Sequence, residues 1–194
     1  MTAGATTAEG RRLALLLRRQ IALEKDVLMG VASDLVKGHF VSIERNSNIL
    51  RDAQLKNLEG VAFSALNRAE VIKFINKQAD KDGDQKPDKQ KWVFNELHKN
   101  LLARMAQIAG RDARKTEGEP GSKDRIVASV KEKASASPSI PESVVNAWFI
   151  AEREQEIQME LLREFISHFA VFYTLQASEK RRELGLAGKG EENE

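Results

Sequence analysis

The stretch EGRRLALLLRRQIALEKDVLMGVASDLVK, residues 9–37, decides the fold class. Leu17, Ile21, Leu28, Val31 or Ala32, and Leu35 recur in it at three- and four-residue spacing, which lines one face of an α-helix. A strand would need alternation instead, and no convincing alternating run stands here or elsewhere in the chain. The chain is therefore expected to be all-α, a helical bundle with long N- and C-terminal helices. Gly38 reads as the stop of the first helix. Residues 39–47 could continue the helix or form a short extended link, and the pattern Phe40, Val41, Ile43 does not decide between them.

Working outward, a second helix is expected over about 49–65, where Leu55, Leu58 and Ala62 share a face. Asn67 with Glu70 three positions on has the form of a helix N-cap, and Val71, Phe74 and Ile75 give the third helix its apolar side, ending near Ala79. Residues 80–91 have loop composition, with Gly83 and Pro87. A fourth helix over about 88–114 aligns Phe94, Leu97, Leu101, Met105 and Ile108. Polar linkers at 116–123 and 135–139 flank a short helix at 124–134, so residues 115–140 are expected to be mobile. Ser139, Pro141 and Glu142 then open one helix running to about Leu184. In domain terms this is a flexible start (1–8), one helical domain (9–184) and an acidic disordered tail (185–194).

Composition limits what such a bundle can do. With 194 residues, 41% of them hydrophobic, the chain can bury a core. Thirty-one basic against 29 acidic residues leave a net charge of +2, so only the local distribution of charge can argue for a polyanionic partner. There is no cysteine, which excludes thiolate and disulfide chemistry and fits a cytoplasmic setting. Neither residues 13–17 nor 161–175 reach the ~20 uninterrupted apolar residues of a membrane span, and arginines close the first run on both sides. No membrane partner is expected.

Catalytic and metal patterns fail on spacing. In a calcium loop opened by Asp80, the glycine of position six would be Gln85 and the bidentate glutamate of position twelve would be Lys91. Glu152, Glu156, Glu160, Glu164 and His168 step by four, whereas a di-iron bundle needs paired Glu-x-x-His motifs, so this row, with Arg153 and Arg163 nearby, reads as a solvated and partly self-paired face. His39, His98 and His168 lie on separate elements, and no nucleophile elbow or phosphate-binding glycine loop occurs. No enzyme activity, metal or cofactor is expected.

The arginines are more informative. Arg11-Arg12 and Arg18-Arg19 are seven residues apart, close to two helical turns, and therefore stack into one basic stripe. Arg104, Arg111 and Arg114 flank the apolar face of the fourth helix, and Lys56 is a further, weaker candidate. Guanidinium forks suit phosphate oxygens, so RNA or another single-stranded nucleic-acid backbone is the expected ligand. Glu24, Asp26, Glu96 and Asp112 are interspersed, as on any charged helix surface. Phe165, Phe169, Phe172 and Tyr173 cover more than a narrow seam, which points to internal packing on one side and a protein interface on the other, with self-association as one form of it.

The stretch Gln54-Leu55-Lys56-Asn57-Leu58, followed by residues 66–78, Trp92 and the helix through Met105, resembles the small helical subunits of type III CRISPR effector complexes. Phe165-Ile166-Ser167-His168-Phe169 with Phe172-Tyr173 is similar to their aromatic closing helix. The resemblance covers residues 50–176; the long basic first helix and the polar stretch 115–140 depart from it. It implies a non-catalytic subunit that stacks with other protein subunits in an RNA-guided complex and steadies guide or target strands while other subunits cut. The alternative is a helical protein-protein adaptor or homo-oligomer that binds no nucleic acid.

Overall fold

The computed structural model describes residues 7–41, 43, 49–84, 91–109, 120–136 and 140–185. Among these the chain is all-α, with seven helices and no strand. They are α1 (Thr7–Val41), α2 (Asp52–Ser64), α3 (Arg68–Asp84), α4 (Lys91–Ala109), α5 (Ser122–Ser135), α6 (Glu142–Trp148) and α7 (Ala151–Glu183). No helix of the described residues is long and apolar enough to cross a membrane.

The single helical domain expected over 9–184 divides instead into two compact units, Met1–Leu28 with Met105–Leu162, and Met29–Arg104 with Arg163–Glu194. In the first, Leu13, Ile21 and Leu28 of α1 are buried, as are Met105 and Ile108 of α4, Ile126 and Val130 of α5, and Ile157 and Leu161 of α7. In the second, buried residues include Val36 and Phe40 of α1, Leu55 and Leu58 of α2, Val71 and Ile75 of α3, Leu101 of α4, and Phe165, Phe169 and Tyr173 of α7.

Local signals explain most boundaries. The backbone N–H of Glu70 donates to Asn67 Oδ1 at 3.2 Å, while Asn67 Nδ2 and the N–H of Leu66 donate to the Glu70 carboxylate at 3.0 Å each. This reciprocal cap satisfies amides that have no partner inside α3. At the start of α2 the Arg51 N–H donates to Gln54 Oε1 at 2.8 Å. The C-terminus of α2 is closed from α7, where Arg163 donates to the carbonyls of Ala62 and Ala65, both at 3.1 Å. A cation at the negative end of a helix is favourable there, and Arg163 thus belongs to a cap rather than to a solvated charged face. Gly185, at φ 68°, ends α7 in the left-handed conformation that glycine adopts without strain.

Three helix boundaries depart clearly from the sequence reading. α1 continues through Gly38 to Val41, because the next turn places His39 and Phe40 in the core against Tyr173, with ring centroids 5.6 and 4.9 Å away. Burying a phenylalanine contributes roughly 2 kcal/mol, against about 1 kcal/mol for a helical glycine. α3 extends to Asp84, so the acidic run that suggested a calcium loop has helical backbone. The helix expected from Pro141 to Leu184 breaks at Phe149, whose φ of −88° and ψ of 74° leave the helical region. Phe149 is buried while Ile150 is exposed, and Trp148 meets the Phe149 ring edge-on at 5.0 Å. Within the stretch expected to be mobile, α5 buries Ser122, Ile126, Val130 and Ala134; residues 110–119 and 137–139 lie outside the described ones.

Candidate nucleic-acid interface

α1 buries one side in the first unit, and this fixes where its cations point. With Leu13, Ile21 and Leu28 inside, Arg11, Arg12, Arg18 and Arg19 are exposed on the opposite side. Leu15 sits at their centre, 65% exposed, with an arginine three and four positions away in both directions. Those offsets are the neighbours on a helix surface, so four guanidinium groups frame one aliphatic side chain. The two pairs are about 10 Å apart along the axis.

Acids do not interrupt this face. No Asp or Glu stands between Glu9 and Glu24. Glu24 lies on the buried side of α1, where its carboxylate accepts a hydrogen bond from the Arg125 guanidinium of α5. Arg125 is itself held by the Pro120 carbonyl at 2.9 Å and by Ser122 Oγ at 3.1 Å. One turn earlier the Ser129 hydroxyl donates to Gln20 Oε1 at 2.9 Å, a second polar tie between α5 and α1. α5 is fastened to α7 as well, by Lys123 Nζ on Glu154 Oε2 at 2.9 Å. Burial works against the Lys123 charge, but hydrogen bonding and attraction from Glu154, with help from Asp124, outweigh it and raise its pKa. The Glu24 charge is thus compensated on the inner side of α1, and between Glu9 and Glu24 the charged residues of the outer side are all arginines.

Lys56 is exposed on α2 and Arg104 is half-buried on α4, both in the second unit. Arg111 and Arg114 lie outside the described residues.

The aromatic residues assigned to a protein interface require correction. Phe165, Phe169 and Tyr173 are fully buried in the second unit and Phe172 is half-buried. Apolar rings at helical spacing have been taken up by the chain's own core, with Tyr173 in contact with Phe169, Phe40 and His39. Its phenol oxygen accepts the N–H of Leu50 at 3.0 Å and lies 3.2 Å from His39 Nε2. Burial lowers the His39 pKa to about 4 and raises that of Tyr173. Neutral His39 therefore accepts a hydrogen bond from the phenol O–H at Nε2, while the phenol oxygen accepts from Leu50. Nothing in the sequence links positions 39, 50 and 173.

Glu164 and His168 of the stepped acidic row meet at 3.4 Å, and Arg153 stacks over Trp148 at 4.0 Å. Among the described residues no group of three His, Asp or Glu side chains could hold a metal ion. In the second unit a cavity of about 30 Å³ lies between Leu58, Phe74, Ile75, Leu97 and Phe169, with Gln54, Asn57 and His98 at its polar side. That is room for about one water. His98 Nε2 is engaged by Asn76 Oδ1 at 2.6 Å. Comparison of the chain with protein-family models, with curated proteins and with solved structures finds no match.

Proposed function

We propose that the chain is a non-catalytic helical subunit of a nucleoprotein assembly that binds RNA, or another single-stranded nucleic acid, by its phosphate backbone across the outer face of α1. The observation that carries this reading is the set of four exposed arginines around Leu15, on a face without acids from Glu9 to Glu24. Guanidinium groups pair with phosphate oxygens through parallel N–H donors, and they do so whatever the base sequence. Leu15 adds an aliphatic contact for a sugar or base edge between the two pairs.

The resemblance read in the sequence of residues 50–176 to the small subunits of type III CRISPR effector complexes implies the same role, with the chain steadying a strand that other subunits cut. A protein adaptor is the rival reading. It loses the aromatic surface on which it rested, since three of those four side chains are buried.

The test is binding of labelled single-stranded RNAs of unrelated sequence to the full chain, with duplex DNA alongside. Replacing Arg11, Arg12, Arg18 and Arg19 by glutamine should weaken binding by a similar factor for every RNA, because phosphate contacts carry no sequence information. Wild-type and substituted chains binding equally well would refute the assignment of this face.

A further inference from the structure

α7 has a second exposed stripe, opposite the aromatic core. Glu164, His168, Val171, Leu175, Ser178 and Arg182 follow one another in steps of four, three, four, three and four. That is the heptad spacing of a coiled-coil seam. Val171 and Leu175 are 55% and 56% exposed, Ser178 and Arg182 are exposed, and Glu164 and His168 are half-buried. All six belong to the second unit.

The stripe is complementary to itself when reversed. Val171 and Leu175 lie two residues either side of Tyr173, His168 and Ser178 five, and Glu164 and Arg182 nine. We propose that two copies of this chain associate through α7 in antiparallel orientation, about a two-fold axis at the level of Tyr173. Val171 of one copy then packs on Leu175 of the other, His168 faces Ser178, and Glu164 meets Arg182 at both ends. Each layer pairs the two alternate seam positions, as antiparallel packing of heptads requires. The seam is about 27 Å long. The partner is a second copy because charge complementarity and apolar register both arise from one symmetry operation, the condition for an isologous contact.

Local chemistry suits close approach. The Thr174 and Ser178 hydroxyls already donate to the carbonyls of Ala170 and Thr174 at 2.9 and 3.0 Å, so covering them strands no donor. Glu164 is steadied by His168 on its own helix. With two exposed apolar side chains from each copy, the dimer is a weak one. The proposal does not depend on nucleic-acid binding by α1.

Sedimentation of the full chain over a wide concentration range tests it. The wild type should shift from monomer toward dimer as concentration rises. Val171→Glu with Leu175→Glu should weaken association by at least about tenfold while leaving helix content and thermal midpoint unchanged, since both side chains are exposed. Glu164→Arg and Arg182→Glu should each weaken it, and combining them in one chain should restore it. Because the chain lacks cysteine, orientation can be read separately. His168→Cys with Ser178→Cys should cross-link copies on oxidation, whereas Ser178→Cys alone should not. A chain that stays monomeric at its highest soluble concentration would overturn the proposal, as would a dimer indifferent to Val171→Glu with Leu175→Glu, or one cross-linked by Ser178→Cys alone.

Discussion

At the scale of single residues, the contact of His39, Tyr173 and the Leu50 amide has the clearest energetic consequence. Burial holds the His39 pKa at about 4, against 6.5 for an unrestrained imidazole. The unfolded chain therefore takes up a proton first as pH falls. The stability contributed by a neutral His39 is fully present above pH 6.5 and is lost progressively down to about pH 4. The full difference is roughly 3 kcal/mol. Urea unfolding at pH 7 and pH 4.5 should show this loss, and His39→Gln, which cannot titrate, should make the two midpoints more alike. An unchanged pH dependence in the variant would mean that His39 does not carry the effect. Tyr173 could be read as apolar from its spacing, but not as a hydrogen-bond partner of residues more than a hundred positions away. Separation along the chain hides such contacts from any reading of periodicity.

Among the elements, the local cap of α3 was readable in the sequence. Asn67 and Glu70 are three residues apart and form the cap their types suggest. Gly38 shows how tertiary packing overrides a local stop. Nothing in the sequence of residues 37–41 reveals that Tyr173 is available to cover His39 and Phe40. The helix continues, and its φ at Gly38 is not positive. A Cβ added at Gly38 would meet nothing within 4 Å. Gly38→Ala should therefore stabilise the chain by about 0.5–1 kcal/mol, by lowering the entropy of the unfolded state. Thermal unfolding measures it directly, and a destabilised variant would contradict a helical, unobstructed Gly38. The break at Phe149 was equally hidden, because burying its ring takes precedence over a sequence pattern that continues as a helix. Arg163 likewise reads as a surface cation until α7 brings it to the end of α2.

Across the whole molecule, helical periodicity sufficed for the fold class but not for its division into two units. Three- and four-residue spacing reports which side of a helix is buried, not which neighbours bury it, and α1, α4 and α7 each contribute to both units. The basic face was partly legible for the same reason. Arg11, Arg12, Arg18 and Arg19 follow from spacing alone, whereas the withdrawal of Glu24 to Arg125 needs the packing of α5. The central claim is that these four arginines neutralise phosphates, and it is tested most directly by the salt dependence of RNA binding. For single strands, the logarithm of affinity falls against the logarithm of salt concentration with a slope of about −0.7 per neutralised phosphate. If each arginine engages one phosphate, the wild type should have a slope steeper by about 3 than the chain with all four replaced by glutamine. Parallel slopes for the two proteins would contradict the account.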